Sequence, residues 1–217
     1  MNPFKFECRA VNVEHCCRHR DEEEPPHPQE LLECIRSIVE ATQEIRFHGK
    51  IKTRQNNYQV DYDDFDSSWI NALKSQGWIP QDLKKLQIKS KIKPDAVLSK
   101  NNLKVCVEIE KANKKTIWFD LMKIFMIVGE GVAEFGLLVV PRNYAHKIAV
   151  WDLFKEARYY RWCLEQYAKV NDNLMSKVAI IGYTQEAQLS HKWVSLNNSV
   201  MKDIKEKAGD YFNQRDK

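Results

Sequence analysis

Two hydrophobic rhythms alternate along the chain, and the points where one gives way to the other predict its elements. In "QELLECIRSIVEATQEIRF", Leu31, Leu32, Ile35, Ile38, Val39 and Ile45 recur close to the 3.6-residue period of an amphipathic helix. The preceding "RDEEEPPHPQ", residues 20–29, joins a charge run to three prolines, so neither helix nor sheet continues through it and it reads as a linker or helix lead-in. Residues 48–67 are polar and acidic, and "SSWINALKSQGW" then predicts a short helix capped by Ser67 or Ser68 and stopped by Gly77. A basic stretch, "IPQDLKKLQIKSKIKP", leads into "PDAVLSKNNLKVCVEIEK", which predicts a hairpin turning at "SKNN". In "KKTIWFDLMKIFMIVGEG", Ile117, Leu121, Ile124, Phe125 and Val128 mark one buried helical face, and Gly129 with Gly131 ends it. "FGLLVVP" is the continuous apolar run of a strand buried on both faces, closed by Pro141. A long aromatic-rich helix over about residues 144–170, a strand at "KVAIIGYT" and a polar C-terminal helix that frays after Lys207 complete the series.

Helix, hairpin, helix, strand, helix, strand, helix is an α/β order, and the expected fold is a mixed central β-sheet flanked by helices. Residues 1–28 are expected to form an N-terminal extension or linker and residues 29–217 a single domain, because 217 residues are enough for one sizeable core and short for two. No internal repeat or low-complexity tract interrupts this reading.

Composition narrows the class without fixing the function. The chain is 43% hydrophobic and 29% charged, and it has no apolar run near the roughly 18 residues that span a membrane. Its first residues hold no apolar signal core, so the expected location is the cytoplasm. A net charge of +4 permits a polyanionic partner without requiring one. The six cysteines are scattered and read as reduced thiols. Cys8, His15, Cys16, Cys17 and His19 bring zinc-type ligands together, but the second separated pair that closes a zinc site is missing, so no metal is expected there.

The chemistry concentrates at the hairpin. Strand parity puts Leu103, Val105, Val107 and Ile109 on one face and Lys104, Cys106, Glu108 and Glu110 on the other. The two glutamates stand one pleat repeat of about 7 Å apart, and Asp95 joins them from the partner strand at about 5 Å. Like charges so placed repel, so either they form the solvated face of an edge strand or they are gathered to hold a cation. Mg2+ suits the second case, since it takes one or two carboxylates and fills its sphere with water and phosphate oxygens. Lys111 has the opposite parity and does not join the acids.

"PD" at Pro94 and Asp95, a hairpin, "VEIE" with Glu108 and Glu110, then a helix and an apolar strand resemble the core of the PD-(D/E)XK nuclease superfamily. Glu110 in place of the final lysine resembles the variant active site of type II restriction endonucleases of the BamHI/BglII group. Asn113 and the "LKSQGW" helix also have counterparts there, and the likeness spans roughly residues 30–140. This resemblance implies a restriction-endonuclease-like fold and Mg2+-dependent hydrolysis of double-stranded DNA. Asp95 and Glu108 would hold the metal, and Glu110 would accept a proton from the attacking water or hold a second metal. It further implies one more acid from the first core helix, Glu40 or Glu44, and a homodimer matched to palindromic DNA. Lys91 and Lys93, from a run that includes Lys84, Lys85 and Lys89, with Asn113, Lys114 and Lys115, are the candidate DNA contacts. A structure-selective repair or phage-type nuclease of the same fold, and a non-catalytic DNA-binding protein, stay open as alternatives.

Overall fold

Residues 4–16, which the sequence places in an extension, form a strand of the fold. Phe6, Cys8 and Ala10 are buried at every second residue while their neighbours face outward, which is the period of a half-buried strand. The computed structural model describes residues 3–16, 28–43, 45–54, 57–62, 64–111, 114–146, 149–168 and 170–215. Its elements run β1 (Phe4–Cys16), α1 (Gln29–Thr42), β2 (Arg46–Arg54), β3 (Asn57–Asp61), α2 (Phe65–Ser75), β4 (Ile79–Pro80), β5 (Ala96–Lys100), β6 (Leu103–Ile109), α3 (Ile117–Gly129), β7 (Phe135–Pro141), β8 (Tyr144–His146), β9 (Ala149–Trp151), α4 (Leu153–Tyr167), α5 (Asp172–Met175), β10 (Val178–Leu189), β11 (Lys192–Ser195) and α6 (Asn198–Arg215).

One nine-stranded sheet organises them in the order β3-β2-β1-β10-β7-β6-β5-β4, with β11 also paired to β10. β6, β7 and β10 run parallel and the other pairs antiparallel, so the sheet is mixed. Strands β8 and β9 form a separate hairpin. Parallel neighbours need crossovers, and α3 supplies the one between β6 and β7.

Helices cover both faces of the sheet. A Cβ at Gly136 of β7 would stand 2.1 Å from Ile124 Cγ2, and one at Gly182 of β10 would stand 2.5 Å from the Phe154 ring, so α3 and α4 press directly on one face. On the other face Lys100 Nζ donates to Ser37 Oγ of α1 at 3.2 Å. Two indole N–H groups lock this second layer: Trp69 donates to Thr42 Oγ1 at 2.8 Å and Trp78 to Ser37 Oγ at 3.0 Å. Both indoles are buried, so each N–H needs that acceptor.

Several expectations change. Residues 4–16, expected within an extension, form a strand between β2 and β10. The polar stretch after His48 contains much of the β2–β3 hairpin, because Phe47, Gly49 and Ile51 turn inward between outward Arg46, His48 and Lys52. The long helix expected from 144 begins only at Leu153, where the Asp152 side chain accepts from Lys155 N at 2.9 Å, and residues before it form β8 and β9. The cap residue of α2 is Asp64, ahead of Ser67 and Ser68, and α6 continues past Lys207 to Arg215. Of the N-terminal Cys/His cluster, Cys8 is buried in the sheet, and Cys17 and His19 lie outside the described residues.

Candidate active site

The register of the central hairpin sets the geometry. Ala96 pairs with Val107 and Val97 with Cys106, so Asp95, just ahead of β5, stands across from Glu108 near the C-terminal end of β6. Asp95 Oδ2 accepts from Ile109 N at 2.8 Å, which ties the carboxylate to the strand end. Cys106 is level with Gly136, whose Cβ position meets α3, so the even-numbered side chains of β6 point toward α3. Strand β6 lies between β5 and β7, and Glu108 is 1% exposed: the solvated face of an edge strand is not what this residue occupies.

A buried carboxylate needs a partner, and Glu108 has one on one oxygen only. Lys123 Nζ, reaching down from α3, lies 2.5 Å from Glu108 Oε2 and 2.9 Å from Asp120 Oδ1. Glu108 Oε1 is buried without a hydrogen-bond partner. Burial pushes the Glu108 carboxyl up to about 8 against the pull of the Lys123 hydrogen bond, and the negative charges of Asp95 and Asp120 add to the rise. Burial works to lower Lys123, but its bonds to the two acids outweigh that and hold it above the ordinary lysine value.

Asp120 and Lys123 lie outside the strand motif, although the sequence carries a signal for them. They are the two charged residues in the otherwise apolar helix "IWFDLMKIFMIVG", three apart and therefore on one face. A charged pair interrupting a buried stripe marks a place where the core is not closed.

The other predicted residues spread out around this centre. Glu110, half-buried one residue past β6, extends the ladder through its N–H to Val139 O at 3.1 Å, and its carboxylate accepts from Thr116 Oγ1 at the start of α3. Its charge also acts on Tyr144, which burial first of all pushes up to about 12. Lys111 turns to the opposite face, as parity predicts, and pairs with Asp66 of α2 at 2.5 Å. Glu40 is exposed on α1, across the sheet from α3. Glu44 and Asn113 lie outside the described residues. Lys91 and Lys93 are exposed on the segment leading to Asp95. Lys114 lies 3.6 Å from Glu156 and over the Trp151 ring at 5.2 Å, and Lys115 is exposed just before α3.

Among the described residues no group of three or more Asp, Glu, His or Cys side chains is gathered closely enough to hold a metal ion. Two opposed carboxylates, one with an unpartnered buried oxygen, nonetheless fit a hard cation that keeps most of its ligands as water and phosphate.

A family profile described as "Putative halobacteria restriction endonuclease" matches residues 26–183. Among solved structures, Pyrococcus furiosus SfsA in complex with Ca2+ aligns over 91% of this chain and 96% of that chain, at 8% identity and a TM-score of 0.41. No curated protein matches.

Proposed function

The chain belongs to the halobacterial restriction endonuclease family, and from that premise we propose that it is an Mg2+-dependent, sequence-specific endonuclease of the type II restriction kind, cutting both strands of duplex DNA. The observation that carries this reading is the opposition of Asp95 and Glu108 across the β5–β6 hairpin, with one buried Glu108 oxygen left unpartnered. In this reading those two side chains hold the metal. When bound, Mg2+ polarises the scissile phosphate and lowers the pKa of an attacking water.

The protein's own groups then divide the remaining work. Ile109 N holds Asp95 in place at 2.8 Å, so the exposed acid meets the site in a fixed orientation. Glu110, tied to Thr116 at the mouth of α3, is a proton acceptor for the attacking water. Lys91, Lys93, Lys114 and Lys115 offer positive charge to DNA phosphates. A homodimer would present two such centres to the two strands of a palindrome.

The test is incubation of purified protein with unmodified supercoiled plasmid in Mg2+. Discrete linear fragments are the expected result. Cutting only at branched or flapped substrates would favour a structure-selective nuclease, and binding without cutting in either Mg2+ or Mn2+ would overturn the enzymatic reading.

A further inference from the structure

We propose that Lys123 is the positioning residue of this site: from α3 its ammonium pins Glu108 Oε2, leaving Oε1 as the oxygen presented to a divalent cation. The inference rests on the reading of Asp95 and Glu108 as metal ligands and adds a residue that the strand motif does not contain.

Three observations carry it. The first is geometric: Lys123 Nζ touches acids from two elements, Glu108 of β6 at 2.5 Å and Asp120 of its own helix at 2.9 Å, so its position is fixed from both sides. The second is the use of the oxygens, since Glu108 is 1% exposed and only Oε2 is satisfied. A carboxylate held by one oxygen has a defined direction for the other, which a ligand bond needs. The third is that neither Glu110 nor Lys111, the described residues that follow the strand, supplies this cationic group. The third position of the strand motif is Glu110, which carries no positive charge, and Lys111 is engaged with Asp66 on the opposite face.

Charge points the same way. Lys123 meets two acids, Glu108 and Asp120, so one positive charge faces two carboxyl groups, with Asp95 across the hairpin from Glu108. The ammonium is not sealed in, because the Lys123 side chain is 26% exposed. The helix that delivers it is seated firmly, for Ile124 occupies the space above Gly136.

The experiment measures metal binding apart from cleavage. Mn2+ and Mg2+ affinities of the DNA-free full-length protein are measured by titration calorimetry for wild type, Lys123→Met and Lys123→Arg, with circular dichroism and thermal melting to establish folding. The expected result is a folded Lys123→Met protein that binds Mn2+ about 10- to 100-fold more weakly, the usual cost of removing a group that orients a ligand. Lys123→Arg, which keeps the charge with a different donor geometry, should recover part of that loss. Unchanged or tighter Mn2+ binding by folded Lys123→Met overturns the inference while leaving the metal site standing. Absence of Mn2+ and Mg2+ binding by wild type removes the metal reading and the inference with it. Should Lys123→Met fail to fold, Lys123→Gln, which retains a donor without the charge, is read by the same outcomes.

Discussion

Glu108 is a carboxyl group enclosed by a sheet and a helix, and its enclosure has a thermodynamic consequence. Its folded-state value near 8 lies above the ordinary 4.5, so between those values the folded protein keeps a proton that the unfolded chain releases. In the metal-free protein this group therefore makes stability fall as pH rises from about 4.5 to about 8. Urea melts at pH 5 and pH 8.5 should show wild type losing more stability over that interval than Glu108→Gln, and parallel losses would contradict the burial argument. At this scale the sequence was partly legible. Alternation along "LKVCVEIE" correctly separated Glu108 from the Val105 and Val107 face and put Asp95 across from it. Lys123 is not legible in that alternation, because its contact joins a helix to a strand and strand parity says nothing about what packs above the strand.

Helix α3 brings Asp120 and Lys123 to β6, and its seating depends on Gly136. A methyl group there would sit 2.1 Å from Ile124 Cγ2, so Gly136→Ala must displace the Ile124 side chain, the helix or the strand. Overpacking of this kind costs about 1–3 kcal/mol, and differential scanning calorimetry should show a lower Tm for Gly136→Ala. On the opposite layer, Thr42→Val strips the acceptor from the Trp69 indole N–H while keeping nearly the same volume. The unsatisfied buried donor should cost about 1–3 kcal/mol in chemical denaturation, whereas Thr42→Ser should retain most of it. Continuous apolar elements such as α3 and β7 declared themselves in the sequence. Strands β1 and β2 did not, because their inward residues Phe6, Cys8, Phe47 and Gly49 alternate with charged ones and the stretches read as polar overall. The short β8–β9 hairpin was hidden because its aromatic residues continue smoothly into α4.

Across the whole molecule, the sheet carries its acids near the C-terminal end of β6, and the lysines proposed to meet DNA flank that end. Lys91 and Lys93 precede Asp95, while Lys114 and Lys115 precede α3. If these side chains neutralise phosphates, Lys91→Ala with Lys93→Ala should weaken binding to unrelated duplexes alike and flatten the salt dependence by about two phosphate contacts. A fluorescence-anisotropy series in salt checks this, and an unchanged slope would move the DNA to another surface. The proposed dimer is checked separately by sedimentation velocity. No helix among the described residues is long and apolar enough to cross a membrane. The central claim is that the Asp95–Glu108 pair is a divalent-cation nuclease centre. Its most direct test is the single-turnover rate of plasmid cleavage in Mg2+ by wild type and Glu108→Gln. Cleavage by wild type that EDTA abolishes, and a rate in the variant lower by about 100-fold or more, is the predicted result. Cleavage by Glu108→Gln at the wild-type rate would contradict it.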